Sequence, residues 1–80
     1  MKLELIHSNQ ARSPEGFWYD QEESEWVLLL KGSATLAFND ADELSDVALK
    51  EGDSLLIAPH RKHRVEETGP DTIWLALFIK

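Results

Sequence analysis

Residues 25–38 read Glu-Trp-Val-Leu-Leu-Leu-Lys-Gly-Ser-Ala-Thr-Leu-Ala-Phe, with a strand-length apolar run on either side of Gly32. Leu28 and Leu30 repeat with period two before the glycine, and apolar residues after it repeat in the same way. Alternation of this kind around a glycine predicts a β-hairpin. Glu25 departs from the pattern because it places a carboxylate at the start of an otherwise apolar strand. We therefore expect the function to depend on what Glu25 faces.

The composition limits the classes of protein to which the chain can belong. Its 80 residues predict one domain, residues 1–80, and 42% hydrophobic residues are enough for a folded core. The absence of cysteine excludes a disulfide framework and fits a cytoplasmic location. The net charge of −7 disfavours a nucleic-acid partner, because an acidic surface repels phosphates. No apolar run approaches the roughly 18 residues of a membrane helix, so we expect no membrane partner.

The rest of the chain consists of short apolar segments separated by turn residues. Residues 2–7 alternate as a first strand, and the three aromatic residues 17–19 predict a second. Turns are predicted where Gly, Pro, Asn and Asp cluster, at residues 39–42, 51–53 and 69–71. Short strands between such turns are typical of an all-β sandwich or barrel.

The last predicted strand, residues 72–80, is apolar on both faces. A strand with this pattern is normally buried on both sides, whereas a small barrel has room for only one of them in its interior. A second subunit would cover the outer face, so we predict a homodimer. The alternative is that the N-terminal strand covers it. One face carries Ile73, Leu75, Leu77 and Ile79, and the other carries Trp74, Ala76 and Phe78.

Two stretches of the chain resemble the two sequence motifs of the cupin superfamily. Glu25, six further residues and Gly32 match the end of the first motif. Gly52, an apolar strand, Pro59 and His63 are similar to the second motif, which ends in a metal-binding histidine. The proline stands one place later than in the family.

The resemblance covers residues 16–78 and identifies the chain as similar to the small single-domain bacterial cupins. It implies an all-β fold, a cupin-like double-stranded β-helix or jelly-roll barrel, with one pocket between the two motifs. It also implies a divalent metal held by three histidines and one glutamate. Glu25 and His63 stand at two of these four positions.

The other two ligand positions of the family do not carry histidine in this chain. Counting back from Glu25, the His-x-His of the first motif falls on Tyr19 and Gln21. A shift of one residue places it on Trp18 and Asp20 instead. Two of the family's metal ligands are therefore replaced.

A divalent-metal site is the first functional hypothesis. Glu25, His63 and His60 are the candidate ligands, with Asp20 or Gln21 as additional ones. Imidazole and carboxylate groups suit zinc, nickel, iron or manganese and can leave positions open for a small polar metabolite. His60 and His63 converge only if the chain turns between them. The alternative is that His63 is a hydrogen-bonded interior residue and His60 lies in solvent.

A metal-free binding or sensing module is the second hypothesis. The acidic segment 20–25 and the basic segment 60–64 would meet at the pocket rim if the two motifs face each other. Arg61 and Arg64 could then receive a small anion, since guanidinium groups bind carboxylates and phosphates with two hydrogen bonds. The alternative is that these charges form ordinary surface pairs.

Aromatic and amide side chains could complete such a ligand site. Tyr19 and Gln21 are candidate ligand-binding residues, and Trp18 and Trp26 could stack on a flat or sugar-like molecule. The tryptophans are more often core residues, because large apolar side chains are chiefly buried. The sequence identifies no catalytic residue, and a structural dimer module without catalysis is the third hypothesis.

Overall fold

The computed structural model describes residues 1–80 and contains seven β-strands in two antiparallel sheets, as the all-β prediction required. The four-stranded sheet has the order β1-β7-β2-β5, and the three-stranded sheet has the order β4-β3-β6. No helix is present that could cross a lipid bilayer. The strands are β1 (Lys2–Ser8), β2 (Ser24–Lys31), β3 (Ser33–Asp40), β4 (Glu43–Lys50), β5 (Ser54–Ile57), β6 (Lys62–Thr68) and β7 (Thr72–Ile79).

The chain passes from one sheet to the other at Gly32. The predicted hairpin between β2 and β3 is therefore wrong, because these strands pair with different neighbours. Gly32 has a φ of +93°, and a Cβ at this position would lie 2.5 Å from the Thr72 hydroxyl oxygen. Only glycine fits so close an approach at positive φ. Both strands nevertheless show alternating apolar residues, because each strand buries one of its faces between the two sheets.

The strands of the two cupin-like motifs pair with each other. β2 pairs with β5 in the four-stranded sheet, where Glu25 lies opposite Ile57. β3 pairs with β6 in the three-stranded sheet, where Phe38 lies opposite His63. This arrangement places Glu25 and His63 on opposite sheets, with their side chains in the space between them.

The hydrophobic core lies between the two sheets. In β2 the interior residues are Val27 and Leu29, whereas Leu30 is 42% exposed. Val27 faces the interior because it lies opposite the buried Ala76 of β7. A bulge at Leu30 then interrupts the register between β2 and β7. The buried core residues are Val27, Leu29, Ala34, Leu36, Phe38, Leu49, Ile57, Trp74 and Ala76.

An irregular arm, residues 9–23, replaces the strand that the aromatic residues 17–19 predicted. Its backbone bonds intermittently to β6, the edge strand of the three-stranded sheet. Ser13 N donates to Val65 O at 2.9 Å, while a turn at Gly16 interrupts the pairing before Tyr19 resumes it. The arm therefore occupies the free edge of β6 without forming a regular strand.

Candidate functional site

A cavity of about 380 Å³ lies between the two sheets, next to the arm. Most of its wall is apolar, with contributions from both sheets. Among this wall three polar side chains, Gln21, Glu25 and His63, lie within 3.5 Å of one another. We call these three residues the inner cluster. The apolar wall includes Ile6, Val27, Leu36, Ile57, Trp74 and Phe78.

Glu25 reaches the cavity because it shares the inward face of β2 with Val27 and Leu29. Its side chain is 13% exposed. Gln21 Nε2 donates a hydrogen bond to Glu25 Oε1 at 3.0 Å. The other oxygen, Oε2, forms no hydrogen bond within the protein and is available to a ligand.

His63 is held in one orientation by its backbone surroundings. Its Nδ1 lies 2.8 Å from the carbonyl oxygen of Arg61, and a carbonyl can only accept, so Nδ1 carries a hydrogen. In the neutral ring Nε2 then presents a lone pair toward the rest of the inner cluster. It lies 3.4 Å from Gln21 Nε2 and 3.5 Å from Glu25 Oε1. The ring also stacks on Tyr19 at a centroid distance of 5.5 Å.

The arm brings Gln21 and Tyr19 to the cavity. Tyr19 and His63 exchange two backbone hydrogen bonds, of 2.7 and 3.1 Å. His60 N donates to Gln21 O at 2.7 Å, which fixes the next part of the arm. Tyr19 and Gln21 are two residues apart in this extended segment and both line the cavity.

His60 and Asp20 lie outside the cavity, on the surface of the molecule. The chain turns after Pro59 as expected, but His60 adopts a φ of +60° and its side chain is 64% exposed. His60 Nδ1 lies 2.7 Å from Asp20 Oδ1. The structure therefore does not bring His60 together with Glu25 and His63.

Arg61 is also directed away from the cavity. Its Nε and Nη2 each donate to one oxygen of Asp40, both at 3.1 Å. The hydrogen bonds from Arg61 lower the pKa of the Asp40 carboxyl below its ordinary value, and the positive charge acts in the same direction. The guanidinium group lies 3.8 Å from the centroid of the Phe38 ring.

Arg64 is buried and does not line the cavity. Its Nη2 donates to Ser13 O at 3.0 Å, which ties the arm to β6. Its Nε lies 3.3 Å from Glu66 Oε2, within ion-pair distance but outside hydrogen-bonding geometry. Trp18 lies 5.9 Å from the guanidinium group. Arg64 thus has internal partners and acts as a link between the arm and the sheet.

Two charged residues of the cavity were not predicted from the sequence. Glu4 lies on β1 and faces the cavity together with Ile6. Its position in the alternating pattern of β1 could have predicted that it faces the same side as Ile6. Arg12 lies in the arm, whose sequence has no periodic pattern from which the direction of a side chain could be predicted. Its Nη2 is 3.9 Å from Glu66 Oε1, and its side chain is 65% exposed.

The chain belongs to the cupin family, since the family model described as a cupin domain matches residues 6–79. A solved structure from Ralstonia eutropha, provisionally named a mannose-6-phosphate isomerase, is 37% identical with a TM-score of 0.88. The match covers 98% of this chain and 72% of that one. A cupin protein from Bacteroides fragilis is 22% identical with a TM-score of 0.76, over 98% of this chain and 64% of that one. No curated protein matches the sequence significantly.

Some structural neighbours are metal proteins. The oxalate decarboxylase of Bacillus subtilis, which has Mn(II) centres, is 18% identical with a TM-score of 0.79. The match covers 95% of this chain but only 20% of that protein, and it shows a similarity of fold.

The residues of the inner cluster do not fit a metal centre with three strong ligands. No group of three His, Cys, Asp or Glu side chains is close enough to hold a metal ion. Glu25 and His63 supply two donors, whereas the third member, Gln21, directs its amide nitrogen at both of them. Catalytic zinc sites use three protein ligands in addition to water. The inner cluster therefore lacks the third strong ligand that such a centre requires.

Proposed function

We propose that this cupin binds a small hydroxyl-rich metabolite in the cavity and that the inner cluster recognises its hydroxyl groups. The observation that carries the proposal is a carboxylate, an imidazole and an amide converging within an otherwise apolar cavity. Such a pocket, with a few convergent polar groups, is the usual form of a small-molecule site. Its volume of about 380 Å³ suits a small metabolite.

The hydrogen-bonding capacity of the inner cluster defines the chemistry of the ligand. Glu25 Oε2 is a free acceptor, whereas the Gln21 amide nitrogen directs its hydrogens at Glu25 Oε1 and at the single lone pair of His63 Nε2. The ligand should therefore supply donors, and hydroxyl groups do so without adding charge. The apolar wall would contact the C–H faces of such a molecule.

The name of the Ralstonia eutropha relative supports a sugar or sugar phosphate as the ligand. A phosphate placed beside Glu25 would be repelled by the carboxylate. Arg12 is the positively charged residue of the cavity wall and is largely exposed. A sugar phosphate would therefore bind with its hydroxyl groups at the inner cluster and its phosphate toward Arg12.

The small-anion hypothesis based on Arg61 and Arg64 receives less support. Arg61 already donates two hydrogen bonds to Asp40, and Arg64 is buried against the arm. Binding an anion through these residues would require both to leave their partners. Metal-assisted catalysis through Glu25, His63 and His60 stays a prediction from the family resemblance.

Isothermal titration with mannose 6-phosphate and with mannose tests the proposal. The Glu25→Gln variant should bind at least one of these about 10- to 100-fold more weakly than wild type, the effect of a lost hydrogen bond to a charged group. Glu22→Gln is the matched control because Glu22 lies two residues before β2 and its side chain is 75% exposed. Each titration should be run on chelator-treated protein and on protein incubated with zinc, nickel, iron or manganese.

Equal affinity in Glu25→Gln and wild type would contradict the proposed role of the inner cluster. Binding that appears only in the metal-incubated samples would contradict metal-independent recognition and would support the hypothesis of a divalent-metal site. No binding of either sugar under any condition would contradict the proposed ligand class.

A further inference from the structure

The arm forms part of the cavity wall without contributing to the hydrophobic core. None of the nine core residues lies between residues 9 and 23, and neither does any apolar residue packed against that core. Ser13 is the only buried residue of the arm. The arm can therefore leave the sheets without uncovering the core. Six of its residues line the cavity, namely Ala11, Arg12, Ser13, Pro14, Tyr19 and Gln21.

Two groups of hydrogen bonds attach the arm to β6. In the first group, Ser13 N donates to Val65 O at 2.9 Å and Val65 N donates to Ser13 Oγ at 3.0 Å. In the second group, Tyr19 and His63 exchange their two backbone hydrogen bonds. Residues 14–18, which separate the two groups, make no backbone hydrogen bond to either sheet. Attachment at one sheet edge, without packing against the core, is typical of a segment with low local stability.

Arg64 is an incompletely paired residue at the contact between the arm and β6. Its side chain is 8% exposed, and its Nη2 donates to Ser13 O at 3.0 Å. Its Nε has no hydrogen-bond partner within the protein. A buried donor without a partner costs free energy, and solvent reaches this group once the arm leaves. The unpaired Nε therefore reduces the free energy needed to undock the arm.

We propose that the arm leaves and rejoins the edge of β6 as one unit while the two sheets stay folded, and that the ligand binds only when the arm is docked. Gln21 is the member of the inner cluster that the arm supplies, so undocking leaves Glu25 and His63 without it. A ligand that contacts the docked arm shifts the equilibrium toward docking. The coupling to the ligand rests on the proposed function, whereas undocking is a property of the free chain.

Amide hydrogen exchange, followed by NMR on the free wild-type chain, tests the undocking. The amides of Ser13, Val65, Tyr19 and His63 donate the hydrogen bonds of the two groups. A single opening should give these four amides the same protection factor, within about threefold. That protection factor should be at least about tenfold lower than those of β3, which is paired on both sides.

Ser13→Ala tests whether the two groups open together. The variant removes the acceptor of the Val65 amide, so the protection factors should fall about 3- to 10-fold. The fall should be equal at Tyr19 and His63, which belong to the second group, while β3 is unchanged. Ser45→Ala is the matched control, because Ser45 is exposed on β4 at the far edge of the three-stranded sheet.

Mannose and mannose 6-phosphate test the coupling to the ligand. Whichever sugar binds, a free concentration of about 100 times its dissociation constant should raise the protection of the arm amides about 100-fold, because undocking must then release the sugar. Unchanged exchange of the arm in the saturated complex would overturn the coupling.

Three results with the free chain would overturn the undocking. One is protection of the four amides equal to that of β3, which would show a fixed wall. Another is a complete lack of protection, which would show that the arm is not docked. The third is an effect of Ser13→Ala confined to the first group, which would show two independent segments. Failure of both sugars to bind would contradict the proposed ligand class and would leave these exchange patterns unchanged, so the two failures are distinguishable.

Discussion

Two members of the inner cluster, Gln21 and His63, and the Asp20–His60 pair just outside it come from the same two segments of the chain. Gln21 and His63 lie in the cavity, whereas Asp20 and His60 pair on the surface. His63 is 6% exposed at its side chain and His60 is 64% exposed. The type of a residue therefore does not indicate its role here, because of two adjacent polar residues one lies in the buried cluster and the other on the solvent-exposed surface.

The difference arises from local backbone geometry. In the extended arm, successive residues point in opposite directions, which separates Asp20 from Gln21. The turn at His60, with positive φ, directs its side chain outward before β6 begins at Lys62. The two histidines and their neighbours should therefore differ as their surroundings require.

The largest effect is expected for His63→Ala compared with His60→Ala. Removing the buried ring leaves a cavity beside Tyr19 and an unpaired Arg61 carbonyl, so the free energy of unfolding should fall by about 2 to 4 kcal/mol. Removing His60 breaks only an exposed pair, at a cost of about 0 to 1 kcal/mol. Urea denaturation at pH 7 measures both values. Similar losses in the two variants would show that the buried and exposed sites are energetically equivalent.

A change in metal affinity is expected for Gln21→His. The new imidazole would stand beside Glu25 and His63 and supply a third strong ligand. The affinity for zinc, measured by competition with a chelating dye on protein without a His tag, should rise at least about tenfold, or about 1.4 kcal/mol. Glu22→His is the control, since it adds the same side chain to the exposed surface. An unchanged affinity in Gln21→His would show that the amide is not what separates this cluster from a metal centre.

The smallest effect concerns the exposed pair of Asp40 and Arg61. The lowered pKa of Asp40 means that this pair stabilises the fold above the unfolded pKa of 3.8, and that the stabilisation is lost as pH falls through the folded pKa. The urea midpoint of wild type should therefore exceed that of Asp40→Asn slightly at pH 7, and the difference should shrink below about pH 4. Asp46→Asn, on exposed β4, controls for the loss of a negative charge. A difference that is the same at both pH values would contradict the linkage.

Much of the fold could be predicted because strand patterns and turns are local properties. The turn at residues 39–42 is formed by Ala41 and Asp42, both at positive φ, as turn chemistry requires. The family resemblance placed Glu25 and His63 at one pocket, and both line the cavity. The hairpin at Gly32 could not be excluded from sequence, because a glycine between two alternating runs fits a turn and a corner between sheets equally well.

The sequence by itself determined an all-β cupin fold, since alternating apolar residues, turn residues and the spacing of two motifs are encoded along the chain. Tertiary structure alone decided which polar residues meet. It placed Gln21 beside both Glu25 and His63. It directed the side chains of His60 and Arg61 to the surface, and it paired Arg64 with the backbone of the arm. The physical reason is that these positions depend on φ at a single residue and on pairing between distant strands, neither of which leaves a periodic signal in the sequence.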